Sequence, residues 1–169
     1  MKVIILAAGR GTRLGELTSS KPKCMVEVLG KPIIKHQLDL LSSNNISEIY
    51  VATGYMSDKI NFPSITKKFY NKDYLTTNMV HSLFKCKDIL IDDDDLLITY
   101  GDIIYNKNIL NKVVNFNSSI GVVVDKSWEK YWQVRMNNPL NDAETLKLNN
   151  KNEIKEIGKK TNSIDDIEG

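Results

Sequence analysis

Gly9, Gly11 and Gly15 punctuate the first loop of the chain, "LAAGRGTRLG", and the cations Arg13, Lys21 and Lys23 are among those in the loop or just beyond it. Small side chains at Ala8, Gly9 and Gly11 let the backbone come close to a ligand. The cations can surround a polyphosphate from more than one side, with arginine clamping phosphate oxygens in pairs. A nucleoside triphosphate is the ligand such a loop suits. Two familiar glycine loops fail on spacing. A dinucleotide fingerprint reads G-x-G-x-x-G and expects an acidic residue at the end of the second strand. Here the glycines read G-x-G-x-x-x-G, and the second strand ends Ala52-Thr53-Gly54. An ATPase loop needs lysine directly after its last glycine, and Glu16 follows Gly15.

Asp102 is the strongest single candidate elsewhere. It follows the apolar run Leu96 to Tyr100 and Gly101, so it sits just past the carboxyl end of a strand, where ligands of open α/β sheets bind and a carboxylate can hold Mg²⁺. The run Asp92 to Asp95 precedes that strand and is expected as a solvated turn. Both tryptophans, Trp128 and Trp132, flank Tyr131 in "DKSWEKYWQVR". Aromatic faces of this kind can hold a quaternary ammonium, with Asp125, Asp142 and Glu144 completing a pocket for a cationic acceptor; equally, they can close the edge of a core. His36 and His81 are expected as partly exposed helix residues rather than catalytic bases.

The elements that must position these residues are those of an α/β protein. Val3 to Ala8 is a continuous apolar run, as in a strand buried on both faces. Ile33, Ile34, Gln37, Leu38, Leu40 and Leu41 recur at helical spacing between Pro32 and Asn44-Asn45. Ile49 to Thr53 predicts the second strand, Lys68 to Tyr70 a short one, and Leu96 to Tyr100 a third buried one. Asn78 is placed to cap a helix running to Cys86, and Ile109 to Val114 predicts another helix. Ile120 to Val124 is expected as a fourth strand, and stretches near Gln133–Met136, Glu144–Leu148 and Glu153–Ile157 as antiparallel strands. The predicted architecture is a three-layer sandwich around a mixed, mostly parallel Rossmann-like sheet.

Composition bounds the rest. The 169 residues suffice for one domain, and a net charge of +2 predicts neither a nucleic-acid nor a membrane partner. Cys24 and Cys86 have no metal-ligand spacing, which points to a reduced, cytoplasmic setting, and the first apolar run is too short for an export signal or a membrane span.

The stretch "LAAGRGTRLGELTSSKPKCMVEVLGKPII" resembles the signature of nucleotidyltransferases that join a nucleoside triphosphate to a phosphorylated acceptor, L-A-A-G-x-G-[ST]-R-[LM]-x-x-x-T-x-x-x-P-K-x-[ML]. Gly9, Gly11, Thr12, Arg13, Leu14, Thr18, Pro22, Lys23 and Met25 all fit. Later stretches, "EIYVATGY", "NKDYLTTNMVHSLF", "LLITYGDIIY" and "DAETLKLNNKNEIKEIGKK", look most like the cytidylyltransferase branch that includes bacterial phosphocholine and aminoethylphosphonate enzymes of surface-polysaccharide biosynthesis. The resemblance implies a nucleotide-diphospho-sugar transferase fold over residues 1–169, with CTP and a small phosphorylated acceptor as partners, Mg²⁺ as cofactor, and a homo-oligomer allowed. It places Leu6, Ala7, Ala8, Gly9, Gly11 and Thr12 along the nucleotide, Arg13 on the leaving pyrophosphate, and Gly54, Tyr55, Thr77 and Asn78 beside the base. Lys23 would hold the α-phosphate or the acceptor phosphate, and Asp102 the metal. Acceptor contacts would come from Lys23, Trp128, Tyr131, Trp132, Asp142 and Glu144. Relatives of this kind run longer and take a second metal aspartate from a late strand, so the expectation is a chain lacking its C-terminal strand and helix. The alternatives are a sugar-1-phosphate nucleotidyltransferase and a catalytically incomplete nucleotide-binding module.

Overall fold

The computed structural model describes residues 1–169, which divide into two compact units, Met1–Phe116 and Asn117–Gly169. Unit 1 runs β1 (Lys2–Ala7), β2 (Glu27–Val28), β3 (Lys31–Pro32), α1 (Ile33–Ser43), β4 (Ile49–Thr53), β5 (Lys67–Tyr70), α2 (Met79–Phe84), α3 (Lys87–Leu90), β6 (Leu96–Tyr100) and α4 (Lys107–Val114). Four strands form one sheet in the order β5-β4-β1-β6, parallel throughout, while β2 and β3 make a separate antiparallel ribbon.

The apolar run of β1 is continuous because this strand lies inside the sheet and is covered on both sides. Alternation sends Val3, Ile5 and Ala7 to one face, against Ile34, Leu38 and Leu41 of α1 and Leu110 of α4. Ile4 goes to the other, with Tyr50, Ala52 and Cys86, and with Leu83 of α2 and Ile89 of α3 packed beside them. Val3, Ile4 and Ile5 are all 0% exposed, and burying each such side chain contributes about 1.5–3 kcal/mol. The result is the expected three-layer helix–sheet–helix arrangement. Helix α1 begins directly after Pro32 and stops where Asn45 takes a left-handed φ of 60°. Its buried stripe contains one polar residue, Gln37.

At the amino end of the sheet, Asp92 to Asp95 form an exposed turn, as expected, and two of its carboxylates also meet a cation. Lys2, only 8% exposed, pairs with Asp92 and, at 3.1 Å, with Asp94. A nearly buried ammonium needs such partners. Their hydrogen bonds raise the Lys2 pKa well above the usual lysine range and lower that of Asp92.

Unit 2 contains α5 (Trp128–Arg135), β7 (Glu144–Leu148) and β8 (Ile154–Lys160). The two strands form an antiparallel hairpin with Leu146 opposite Ile157, as the alternation predicted. Two expectations fail here. Ile120 to Val124 is in no strand, and Ile120, Val122 and Val123 are exposed: a strand exists only through ladder partners, and this run has none. Gln133 to Arg135, expected as extended, is the last turn of α5, where Gln133 donates to Glu129 at 2.9 Å across an i,i+4 spacing. The antiparallel pairs of the chain also lie in separate ribbons rather than extending the main sheet. No helix is long and apolar enough to cross a membrane.

Candidate nucleotide site

Because β1, β4 and β6 are parallel, their carboxyl ends and the loops that leave them share one edge of the sheet. A cleft of ≈ 280 Å³ opens there. One wall is the exit of β1, and Leu6, Ala7, Ala8, Gly9 and Gly11 all line it. Gly11 has a left-handed φ of 77°, and a Cβ at that position would lie 2.8 Å from Lys23 Cβ. Glycine there serves the turn and also admits the lysine stem. Buried Thr18 fastens the loop from behind, its hydroxyl in reach of the Gly11 carbonyl at 3.1 Å and the Gly15 carbonyl at 3.2 Å.

Lys23 begins a single 3-10 turn, Lys23–Met25, and its ammonium forms an ion pair with the Asp102 carboxylate. Asp102 arrives from β6. The Gly101 amide continues the pairing with β1 by donating to the Leu6 carbonyl at 2.8 Å, and a Cβ on Gly101 would lie 2.9 Å from Ala7 Cβ. Two predicted residues 79 positions apart in sequence are thus direct partners in the cleft. Both remain about one-third exposed, within reach of solvent and ligand.

The facing wall is the segment before α2 and its first turn, with Tyr74, Thr77, Asn78 and Met79. The Asn78 carbonyl oxygen caps α2 by accepting from the His81 amide at 3.1 Å. Its NH₂ group makes no hydrogen bond within the chain and is a free donor on this wall. Thr77 is committed internally: its hydroxyl donates to the Asp73 carbonyl at 2.8 Å and accepts from Asn71 at 2.9 Å. Asn71, wholly buried, also donates to Ser82 Oγ at 3.0 Å and accepts from the Asp73 amide. It holds the wall in shape without touching the cleft. Only its position just past β5 hinted at this in the sequence.

Other predicted residues lie outside the lining. Gly54 and Tyr55 brace the glycine loop from behind: the Tyr55 amide donates to the Ala8 carbonyl at 3.0 Å and its hydroxyl to the Ser19 carbonyl at 2.9 Å. A Cβ on Gly54 would lie 2.6 Å from the Ala8 carbonyl oxygen and from Tyr74 Cβ. Gly54→Ala is therefore expected to destabilise the protein by about 1–3 kcal/mol and to weaken nucleotide binding, read by urea unfolding and nucleotide titration. Thr12 and Arg13 are exposed on the 3-10 segment Thr12–Thr18, beyond the cleft lining. His81 is exposed, and His36 is half-buried with its Nε2 2.9 Å from the Val28 carbonyl oxygen.

Cys24, Ser82 and Tyr100 line the cleft without having been predicted. Burial pushes the Cys24 thiol up to about 12, so it is no nucleophile near neutral pH. The Tyr100 hydroxyl donates to Met79 Sδ at 2.9 Å and joins the two walls. No cluster of three or more His, Cys, Asp or Glu side chains could hold a metal ion alone. A lone carboxylate such as Asp102, about one-third exposed in the cleft, nevertheless suits a divalent cation whose shell is completed by ligand oxygens and water.

Within unit 2, the expected acceptor residues have different surroundings. Trp128 is 8% exposed and its indole N–H donates to the Ile167 carbonyl at 3.2 Å, which makes it part of that unit's core. Tyr131 and Trp132 pack edge to face, and the Arg135 guanidinium lies over both rings, 5.5 and 4.8 Å from their centroids. Asp142 and Glu144 are exposed.

A family model described as nucleotidyl transferase matches residues 2–133, from β1 through every residue of the cleft. The chain belongs to the nucleotidyl transferase family. It is accordingly an enzyme by descent, and the cleft lies in the matched region. A CTP:phosphoglutamine cytidylyltransferase of Campylobacter jejuni is 46% identical over 99% of this chain and 69% of its own length. A solved CTP:phosphocholine cytidylyltransferase from Streptococcus pneumoniae is 32% identical, with a TM-score of 0.55, over 60% of this chain and 44% of that one. An inositol-1-phosphate CTP transferase from T. maritima, 18% identical with a TM-score of 0.67 over 96% of this chain and 65% of that one, shares the fold. The chain thus spans less of these relatives than they span of it.

Proposed function

We propose that this chain transfers a cytidylyl group from CTP to the phosphate or phosphonate oxygen of a small acceptor and releases pyrophosphate. The observation that carries this reading is the Lys23–Asp102 pair in a glycine-lined cleft at the carboxyl ends of β1 and β6. The acceptor oxygen forms a bond to the α-phosphorus as the bond from that phosphorus to the bridging oxygen breaks, and the leaving charge departs on pyrophosphate. The nucleophile is already an anion at pH 7, so no base is required. Lys23 neutralises charge at the α-phosphate, and Arg13 is assigned to the departing pyrophosphate. Asp102 would hold a magnesium ion, which when bound offsets phosphate charge and aligns the triphosphate. Gly9 and Gly11 let the backbone approach the phosphates, and the free NH₂ of Asn78 can donate to the carbonyl of cytosine.

For the acceptor, we favour a small phosphorylated compound with an amino-acid-like head. The Campylobacter jejuni relative, 46% identical over 99% of this chain, is named for phosphoglutamine. Phosphocholine is the second reading, supported by the pneumococcal relative. The test is pyrophosphate release across four nucleoside triphosphates against phosphoglutamine, phosphocholine and glucose 1-phosphate. CTP with phosphoglutamine is expected to be fastest. Preference for glucose 1-phosphate would overturn the acceptor class, and CTP binding without turnover would show a catalytically incomplete module.

A further inference from the structure

Gln37 is the one polar residue in the buried stripe of α1, 1% exposed, and every polar atom of its side chain is engaged. Its NH₂ donates to the carbonyls of Tyr100 and Ile103, both at 2.8 Å. Its Oε1 accepts from the Thr99 hydroxyl at 3.3 Å. The two carbonyls bracket Gly101 and Asp102. One amide from the helix layer therefore clips both ends of the turn that presents Asp102, while the Gly101 amide fastens the same turn to β1.

The placement is costly unless it is used. A leucine or methionine would fit an apolar stripe without polar atoms to satisfy, and a buried amide is tolerated only when fully paired. From these contacts we infer that Gln37 is a positioning residue: it touches no ligand, and it fixes the β6 exit turn so that the Asp102 carboxylate stays aimed at Lys23 and the metal position. The inference rests on the reading of Asp102 given above. Groups that orient the ligands of a metal characteristically change metal affinity or activity by about 10- to 100-fold when removed.

The experiment uses Gln37→Met, which keeps length and burial but not the donors, beside Leu38→Ala, which opens a cavity in the same helix without touching the turn. Three quantities are read on the full chain: the metal concentration for half-maximal pyrophosphate release, the KM for CTP at saturating metal, and amide hydrogen exchange across residues 99–105. Gln37→Met is expected to raise the metal requirement by about 10- to 100-fold, to lower kcat with little change in KM, and to speed exchange within the turn. Leu38→Ala is expected to lower the melting temperature while leaving the metal requirement in place. An unchanged metal requirement in Gln37→Met, or an equal rise in Leu38→Ala, would overturn the inference. Should Gln37→Met not fold, Thr99→Val removes one contact of the clip, and a smaller rise in the same direction is expected; no rise overturns it. If the unaltered protein releases no pyrophosphate from any pairing, the proposed transfer fails, and exchange in the turn still decides the role of Gln37: unchanged exchange in Gln37→Met rejects it, and faster exchange confined to residues 99–105 supports it.

Discussion

Lys23→Ala is expected to slow pyrophosphate release by about 10²- to 10³-fold, the loss typical when one preorganised donor to a developing charge is removed. Stability should hardly change. The ion pair with Asp102 is one-third exposed on each side, and such pairs contribute about 0–1 kcal/mol. The lysine stem packs over Gly11, so its loss leaves space beside the loop without disturbing the core under β1. A second consequence separates electrostatics from misfolding. Lys23 occupies the Asp102 carboxylate in the free protein, so a metal ion entering there competes with the ammonium. In Lys23→Ala that competition is gone, and the metal concentration for half-maximal activity should fall even as kcat collapses. Turnover near that of the unaltered protein would remove Lys23 from the chemistry, and a higher metal requirement would contradict its competition for Asp102.

How much of this site was legible in the sequence depends on distance along the chain. The β1 loop and α1 could be read directly, because an unbroken apolar run and a 3.6-residue spacing report burial locally. Asp102 was legible as a lone carboxylate past a strand end. Its partner was not, since no local pattern reports that residue 23 meets residue 102. Gln37 was counted among the apolar positions of α1 because its spacing fits; its polarity was the available signal, and only the fold shows which carbonyls it serves. Ile120 to Val124 failed for the converse reason, since a β-prone run does not specify its ladder partner. Gln133 to Arg135 failed through an ambiguity of period. Tyr131, Trp132 and Arg135 would be split between two faces of a strand, whereas on a helix Arg135 returns over both rings.

Asp102→Asn should cost turnover to a similar degree, about 10²- to 10³-fold, with the opposite effect on the metal. The cleft has no cluster of carboxylates to take over. Asparagine keeps the shape of the side chain and can still accept a hydrogen bond from Lys23, so the β6 exit turn is expected to stay intact and the melting temperature to move little. What disappears is the negative charge, so a metal ion would have only the triphosphate to hold it; the half-saturating metal concentration should rise. Asp102→Glu restores the charge but extends it by one methylene, and a displacement near 1 Å can itself cost about 10²-fold in rate. It should therefore recover metal affinity more than kcat. Combining Lys23→Ala with Asp102→Asn tests whether the two act as a unit. Partners in direct contact are not expected to add, so the double variant should be much less impaired than the product of the single losses. Full multiplicativity would mean that the ion pair is a feature of the free cleft only, and that the two residues act on the phosphates independently.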